Sequence, residues 1–147
     1  MPALNAAELL NEQDLQRVRE AVRQAELHTS GELRVHLDDA IAEHVLDHAA
    51  FVFEELGMFR TRERNGVLIY VSVADRRMAV IGDAGINAVV PPGFWDGVLN
   101  ELRSAFGAGR YADGLCAAVQ AVGAKLAAHF PPRADDRNEL LNDVSIG

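Results

Sequence analysis

Three acidic residues set beside glycines carry the most chemistry in this chain. They are Glu32 in Thr29-Ser30-Gly31-Glu32, Asp83 in Gly82-Asp83-Ala84-Gly85, and Asp113 in Tyr111-Ala112-Asp113-Gly114. Carboxylates and backbone carbonyls around an open end suit a hard cation such as Ca2+ or Mg2+. Glycine lets the backbone turn closely enough for a carbonyl oxygen to approach the ion. The same residues admit a plainer account, in which Asp83 and Asp113 cap a turn and a helix and Glu32 pairs with an arginine. Spacing alone leaves both open.

What would bring these residues together is the order of the elements. Asn11 can cap a helix over 12–28, whose stripe is Leu15, Val18, Val22 and Ala25. Residues 32–38 alternate, with Leu33, Val35 and Leu37 on one side and Arg34, His36 and Asp38 on the other; this predicts a strand with a wetter face, near a sheet edge. A helix follows over 42–56. The apolar run 66–73 reads as a central strand covered on both faces, and 77–82 returns as the second arm of a hairpin. Helices are expected over 94–106 and from Tyr111 to about 129, the latter with Leu115, Ala118, Val119, Val122 and Leu126 inward.

The order α-β-α-β-β-α-α predicts an α/β fold: a three-layer α/β/α sandwich around a small mixed sheet. The first two strands should be parallel, joined by a right-handed crossover. Their starts, Glu32 and Asn65-Gly66, then lie at one end of the sheet, and the antiparallel third strand delivers Asp83 to that end. Asp113 joins them if the last helix begins nearby. Residues 1–130 are expected to form a single domain, with residues 1–10 a loose lead-in. Residues 131–147 form a polar C-terminal tail, hanging free or strapped across the surface.

Other chemistry is less well supported. His44 and His48 stand four apart with Asp47 between them, a two-ligand metal pattern that needs a third ligand. His36 reads as a hydrogen-bonded surface residue. Asp38-Asp39 follows a strand, where a phosphorylated aspartate would sit, but Ala40-Ile41 lacks the hydroxyl such sites use, so a turn is expected. Cys116 falls within the last helical stripe and reads as a small buried hydrophobe. Arg60, Arg62, Arg64, Arg76 and Arg77 lack interleaved aromatics and read as solvated loop charge. There is no glycine-rich phosphate cradle and no GxSxG elbow.

Composition narrows the partners. Fourteen Lys plus Arg against 22 Asp plus Glu give a net charge of -8, which repels phosphate and argues against a nucleic-acid partner. One cysteine excludes an internal disulfide framework. No apolar run is long enough for a transmembrane segment, and no secretory signal is visible, so a cytoplasmic location is the expectation.

Ser30-Gly31-Glu32-Leu33-Arg34-Val35-His36, Asn65 to Val71, Ala79 to Ile86, Phe94-Trp95 and Tyr111 to Leu115 occur in an order that resembles the TPM domain, a family that includes thylakoid lumen acid-phosphatase-like proteins. Asn138-Glu139-Leu140 resembles a soluble bacterial branch of it. The resemblance implies an α/β/α sandwich with a four-stranded sheet and a divalent-cation site, usually calcium, at one end. It matches Glu32 and Asp83 to that site, with Asp113 beside them. The expected function is a cation-binding, non-catalytic accessory module that acts with an unknown protein partner in stress or repair. The alternative is a metal-dependent acid phosphatase acting on phosphomonoesters, in which the cation polarises phosphate and Asp83 or Glu32 orients water.

Overall fold

The computed structural model describes residues 5–132 and 144–146. Helices α1 (Ala6–Leu9) and α2 (Glu12–Leu27) lead into strand β1 (Glu32–Asp38). Helix α3 (Val45–Glu55) and a 3-10 turn (Met58–Arg60) connect it to β2 (Gly66–Ser72) and β3 (Arg77–Gly82). Helices α4 (Ala84–Asn87), α5 (Phe94–Gly107) and α6 (Tyr111–His129) follow, and β4 (Val144–Ile146) closes the chain.

The sheet has the order β3-β2-β1-β4. Strands β1 and β2 run parallel, with Glu32 opposite Gly66 and Asp38 opposite Ser72, and β3 is antiparallel to β2. Side-chain alternation divides the interior in two. Leu33, Val35, Leu37, Val67, Ile69, Val71, Met78 and Val80 pack with Val18 and Val22 of α2, Val98 and Leu102 of α5, and Leu115, Val119, Val122 and Leu126 of α6. On the other face Leu68, Tyr70 and Ala79 meet Ala49, Val52 and Phe53 of α3. The expected three-layer sandwich is therefore present. Every residue of β2 is buried, as its unbroken apolar run predicts.

Four local expectations are corrected. The lead-in is not loose: Asn5 caps α1 by accepting from the Glu8 amide at 2.9 Å, Ala6 N donates to Asp39 Oδ1 at 2.7 Å, and Leu9 and Leu10 are buried. Strand β1 is not at an edge, because β4 pairs with its outer side in parallel, with Val35 opposite Val144 and His36 opposite Ser145. Arg34 and Asp38 keep its polar face the wetter one, but His36 is 8% exposed instead of lying on the surface. Helix α3 begins at Val45, and His44 is its N-cap, accepting from Leu46 N at 3.2 Å. Both ring nitrogens of His48 face carboxylates, Nδ1 at 2.6 Å from Glu43 Oε1 and Nε2 at 3.3 Å from Asp38 Oδ2. Of the expected tail, Val144–Ile146 form β4; residues 133–143 and 147 lie outside the described residues.

Candidate cation-binding end of the sheet

The register brings Glu32 and Asp83 to one end. Glu32 stands opposite Gly66 in β1–β2, Val67 stands opposite Gly82 in β2–β3, and Asp83 N donates to Gly66 O at 3.0 Å. Both carboxylates are buried, Glu32 at 4% and Asp83 at 7% exposure. The loop before β2 supplies the third corner. Arg64 N donates to Thr61 O at 3.2 Å, Asn65 N donates to Thr61 Oγ1 at 3.0 Å, and Gly85 N donates to Arg64 O at 2.8 Å. Arg64 holds φ at 54°, a left-handed conformation uncommon outside glycine. A β-carbon on Gly85 would run into the carbonyl oxygens of Glu63 and Arg64. The chain reverses here with no space between the two loops.

Asp83 is already engaged. Its Oδ2 accepts from Arg64 Nε at 2.6 Å and its Oδ1 from Arg64 Nη2 at 2.8 Å, a bidentate pair. Oδ1 also caps α4 by accepting from Ala84 N at 2.7 Å. The Asp83 carboxylate pushes the Arg64 guanidinium above its ordinary value, first through the hydrogen bond and then through charge. The capping role that spacing left open for Asp83 is present, with an arginine added.

Asn65 is the residue that sequence reasoning named only as a corner. It is 1% exposed; its Nδ2 donates to Ser30 Oγ at 3.2 Å, and Ser30 Oγ donates to Glu63 Oε2 at 3.2 Å. Its Oδ1 is buried without a hydrogen-bond partner. Leaving a buried amide oxygen unsatisfied costs about 1–3 kcal/mol, so the position is informative. Asn65-Gly66 at the head of a buried strand was the signal that could have found it.

Asp113 does not join this end. Ser30 N donates to Phe130 O at 2.9 Å, and Thr29 Oγ1 donates to the same oxygen, so α6 ends beside the start of β1. At 1.5 Å per residue Asp113 lies about 25 Å back along the helix. There its carboxylate is 61% exposed and accepts from Arg17 Nη2 at 2.8 Å. Cys116, one turn on, is partly buried and its thiol is pushed up by burial, as expected of a packing residue. Among the described residues no three His, Cys, Asp or Glu side chains come together as a metal-ligand group.

The comparisons with known proteins agree with this architecture. The family model of the TPM domain matches residues 4–125. The NMR structure of BA42 protein from the psychrophilic bacterium Bizionia argentinensis is 41% identical, with a TM-score of 0.86 over 94% of this chain and 95% of that one. The N-terminal domain of a protein from P. gingivalis matches at 21% identity and a TM-score of 0.70, over 86% of this chain and 84% of its own. The N-terminal domain of cg2496 protein from Corynebacterium glutamicum matches at 12% identity and 0.63, over 80% and 74%. The last two share the fold. No curated protein matches. No described helix is long and apolar enough to cross a membrane. A family match across most of the chain, together with a relative of this identity and coverage, places the protein in the TPM domain family.

Proposed function

We propose that this chain is a divalent-cation-binding module, for Ca2+ or Mg2+, that acts on a protein partner, the cation end itself catalysing no reaction. The observation that carries the reading is the buried Asn65 Oδ1 without a partner, at the end of the sheet where Glu32 and Asp83 are also held. An amide oxygen and a carboxylate are ordinary ligands of a hard cation, and backbone carbonyls and water complete such shells. In this proposal Glu32 and Asn65 hold the ion, and Asp83 joins them when Arg64 gives way. With few carboxylates and, among the described residues, no three-ligand cage, affinity falls in the weak class, Kd on the order of 10⁻⁴–10⁻³ M.

An accessory role also needs a surface. Phe51 and Phe59 are 53% and 41% exposed, and they line one groove with Asp47, Glu54 and Arg64. A partner with an apolar tip and a basic rim fits that groove. Because Arg64 also clamps Asp83, the same side chain borders both features.

The test is a titration of Ca2+ and Mg2+ followed by amide shifts and by melting temperature. Saturable shifts at residues 30–33, 63–66 and 83–85 are expected. At a cation concentration ten times Kd, binding to the folded chain alone adds about 1.4 kcal/mol, which is about 3–6 °C in Tm for a chain of this size. Unmoved amides and an unchanged Tm at 10 mM cation, on the order of ten to a hundred times Kd, would sink the reading. Metal-dependent turnover of an aryl phosphate, lost in Asp83→Asn, would replace it with the phosphatase alternative.

A further inference from the structure

The carboxyl end of β1 holds a second polar cluster that the cation reading does not use. His36 Nδ1 lies 2.6 Å from Ser145 Oγ on the neighbouring strand, and His36 Nε2 lies 3.1 Å from Asp38 Oδ1. The Tyr70 hydroxyl donates to Asp38 Oδ2 at 2.7 Å, and His48 Nε2 stands 3.3 Å from the same oxygen. The Tyr70 ring stacks on the His36 imidazole, with centroids 5.9 Å apart and planes 11° from parallel. Tyr70 is fully buried and His36 nearly so, while Ser145 is half-buried on the edge strand.

The hydrogen bonds assign the tautomer. Asp38 can only accept in its carboxylate form, so His36 carries its proton on Nε2 and donates there. Nδ1 is then a lone pair facing the Ser145 hydroxyl, which donates to it. A hydroxyl on an imidazole, which is oriented in turn by a carboxylate, is the arrangement that activates a serine nucleophile. The stacked ring, and its hydroxyl donating to Asp38, hold the imidazole in place, which is the preorganisation such chemistry needs.

We propose that Ser145 is an activated nucleophile and that this end of the sheet is a metal-independent site for small, uncharged carboxylic esters. Ser145 Oγ attacks the ester carbonyl carbon while its proton passes to His36 Nδ1. The tetrahedral intermediate collapses, the C–O bond to the leaving alcohol breaks, and the proton goes from His36 to that alcohol. Water, deprotonated by His36, then attacks the acyl-serine and restores the Ser145 hydroxyl. The ester class follows from charge: Asp38, Glu43 and a net charge of -8 disfavour anionic phosphate esters. Small size follows from the half-buried setting of Ser145 between buried His36 and its neighbours, which leaves little room around the hydroxyl.

The experiment uses the full chain in excess chelator, which keeps the outcome independent of the cation site. A fluorophosphonate probe is added and followed by intact mass and peptide mapping, with p-nitrophenyl acetate turnover measured in parallel. The native chain should form one adduct, on Ser145, on the order of 10²-fold faster than the urea-unfolded chain. Ser145→Ala should abolish labelling and turnover while the chain still melts cooperatively, at a Tm lowered by the loss of the hydrogen bond to His36. Asp38→Asn should slow labelling at least tenfold while Ser145 remains the target. Labelling no faster than in the unfolded chain, an adduct elsewhere, or undiminished labelling in either variant would overturn the proposal.

Discussion

Replacing Gly85 by alanine sets two physical effects against each other. Helix propensity favours alanine over glycine by about 1 kcal/mol in a helix interior, and Gly85 lies in α4. Propensity alone therefore predicts stabilisation. The space decides otherwise, because the new β-carbon would overlap Glu63 O and stand 2.7 Å from Arg64 O. Both atoms are backbone, and the segment is tied down by the Arg64 N to Thr61 O and Asn65 N to Thr61 Oγ1 hydrogen bonds. Overpacking of this kind costs about 1–3 kcal/mol, and separating the loops loses the Gly85 N to Arg64 O bond, worth about 1 kcal/mol. After the gain in helix propensity a net loss of about 2 kcal/mol remains, a fall of about 4–8 °C in Tm. Thermal unfolding followed by circular dichroism measures it directly. The displaced corner carries Asn65, so Ca2+-dependent amide shifts should weaken in parallel. A Gly85→Ala chain melting within about 1 °C of the parent or above it would show that the two loops do not abut as described.

Two other perturbations probe the opposite end of the sheet. Asp75 Oδ2 accepts from Ser72 Oγ at 2.6 Å and Ile41 N at 2.8 Å, and these bonds hold its carboxyl below the ordinary 3.8. A depressed value in the folded state means that the contribution is full above about pH 4 and is lost as pH falls through the folded value. Asp75→Asn should therefore be less stable than the parent at pH 7, with the gap in urea midpoint closing toward pH 3; a gap that stays constant contradicts the assignment. Tyr70→Phe removes a buried hydroxyl that donates to Asp38 at 2.7 Å and should cost about 1–2 kcal/mol by urea unfolding. Burial, and then the Asp38 bond, push the Tyr70 phenol well above its ordinary value. Phenolate absorbance attributable to Tyr70, taken as the parent minus Tyr70→Phe, should thus appear only as the chain unfolds in alkali.

Much of this fold is legible because long elements repeat their signal. The Val18–Val22 and Leu115–Val119–Val122–Leu126 stripes each recur over several turns, and the unbroken 66–72 run has only one comfortable place, between two layers. Strand β4 is not legible: Val144-Ser145-Ile146 is too short for any period to show, and its pairing with β1 is a tertiary event. That one missing strand accounts for the wrong reading of β1 as an edge and of His36 as a surface residue. Asp113 failed for a different reason. Its local context was read correctly, as the first turn of a helix, but a 19-residue helix is about 28 Å long and separates its two ends across the domain. The Arg64–Asp83 clamp was hidden because it needs a non-glycine residue at positive φ, which no local pattern announces.

The two ends of the β1–β2 pair differ in what they lack. At the amino end Asn65 Oδ1 accepts nothing, and nearby Glu32 and Asp83 bring carboxylates out of water. Such an end is stabilised by anything that supplies positive charge, and Arg64 already supplies some of it. At the carboxyl end both ring nitrogens of His36, both carboxylate oxygens of Asp38 and the Tyr70 hydroxyl have partners. A satisfied chain gains little from an added ion but is ordered for moving a proton along it. Four residues of β1 separate Glu32 from His36, about 13 Å along the strand, well beyond the reach of a shared ligand or hydrogen bond. A cation at one end therefore shares no ligand with the imidazole at the other, and one small sheet can carry both chemistries.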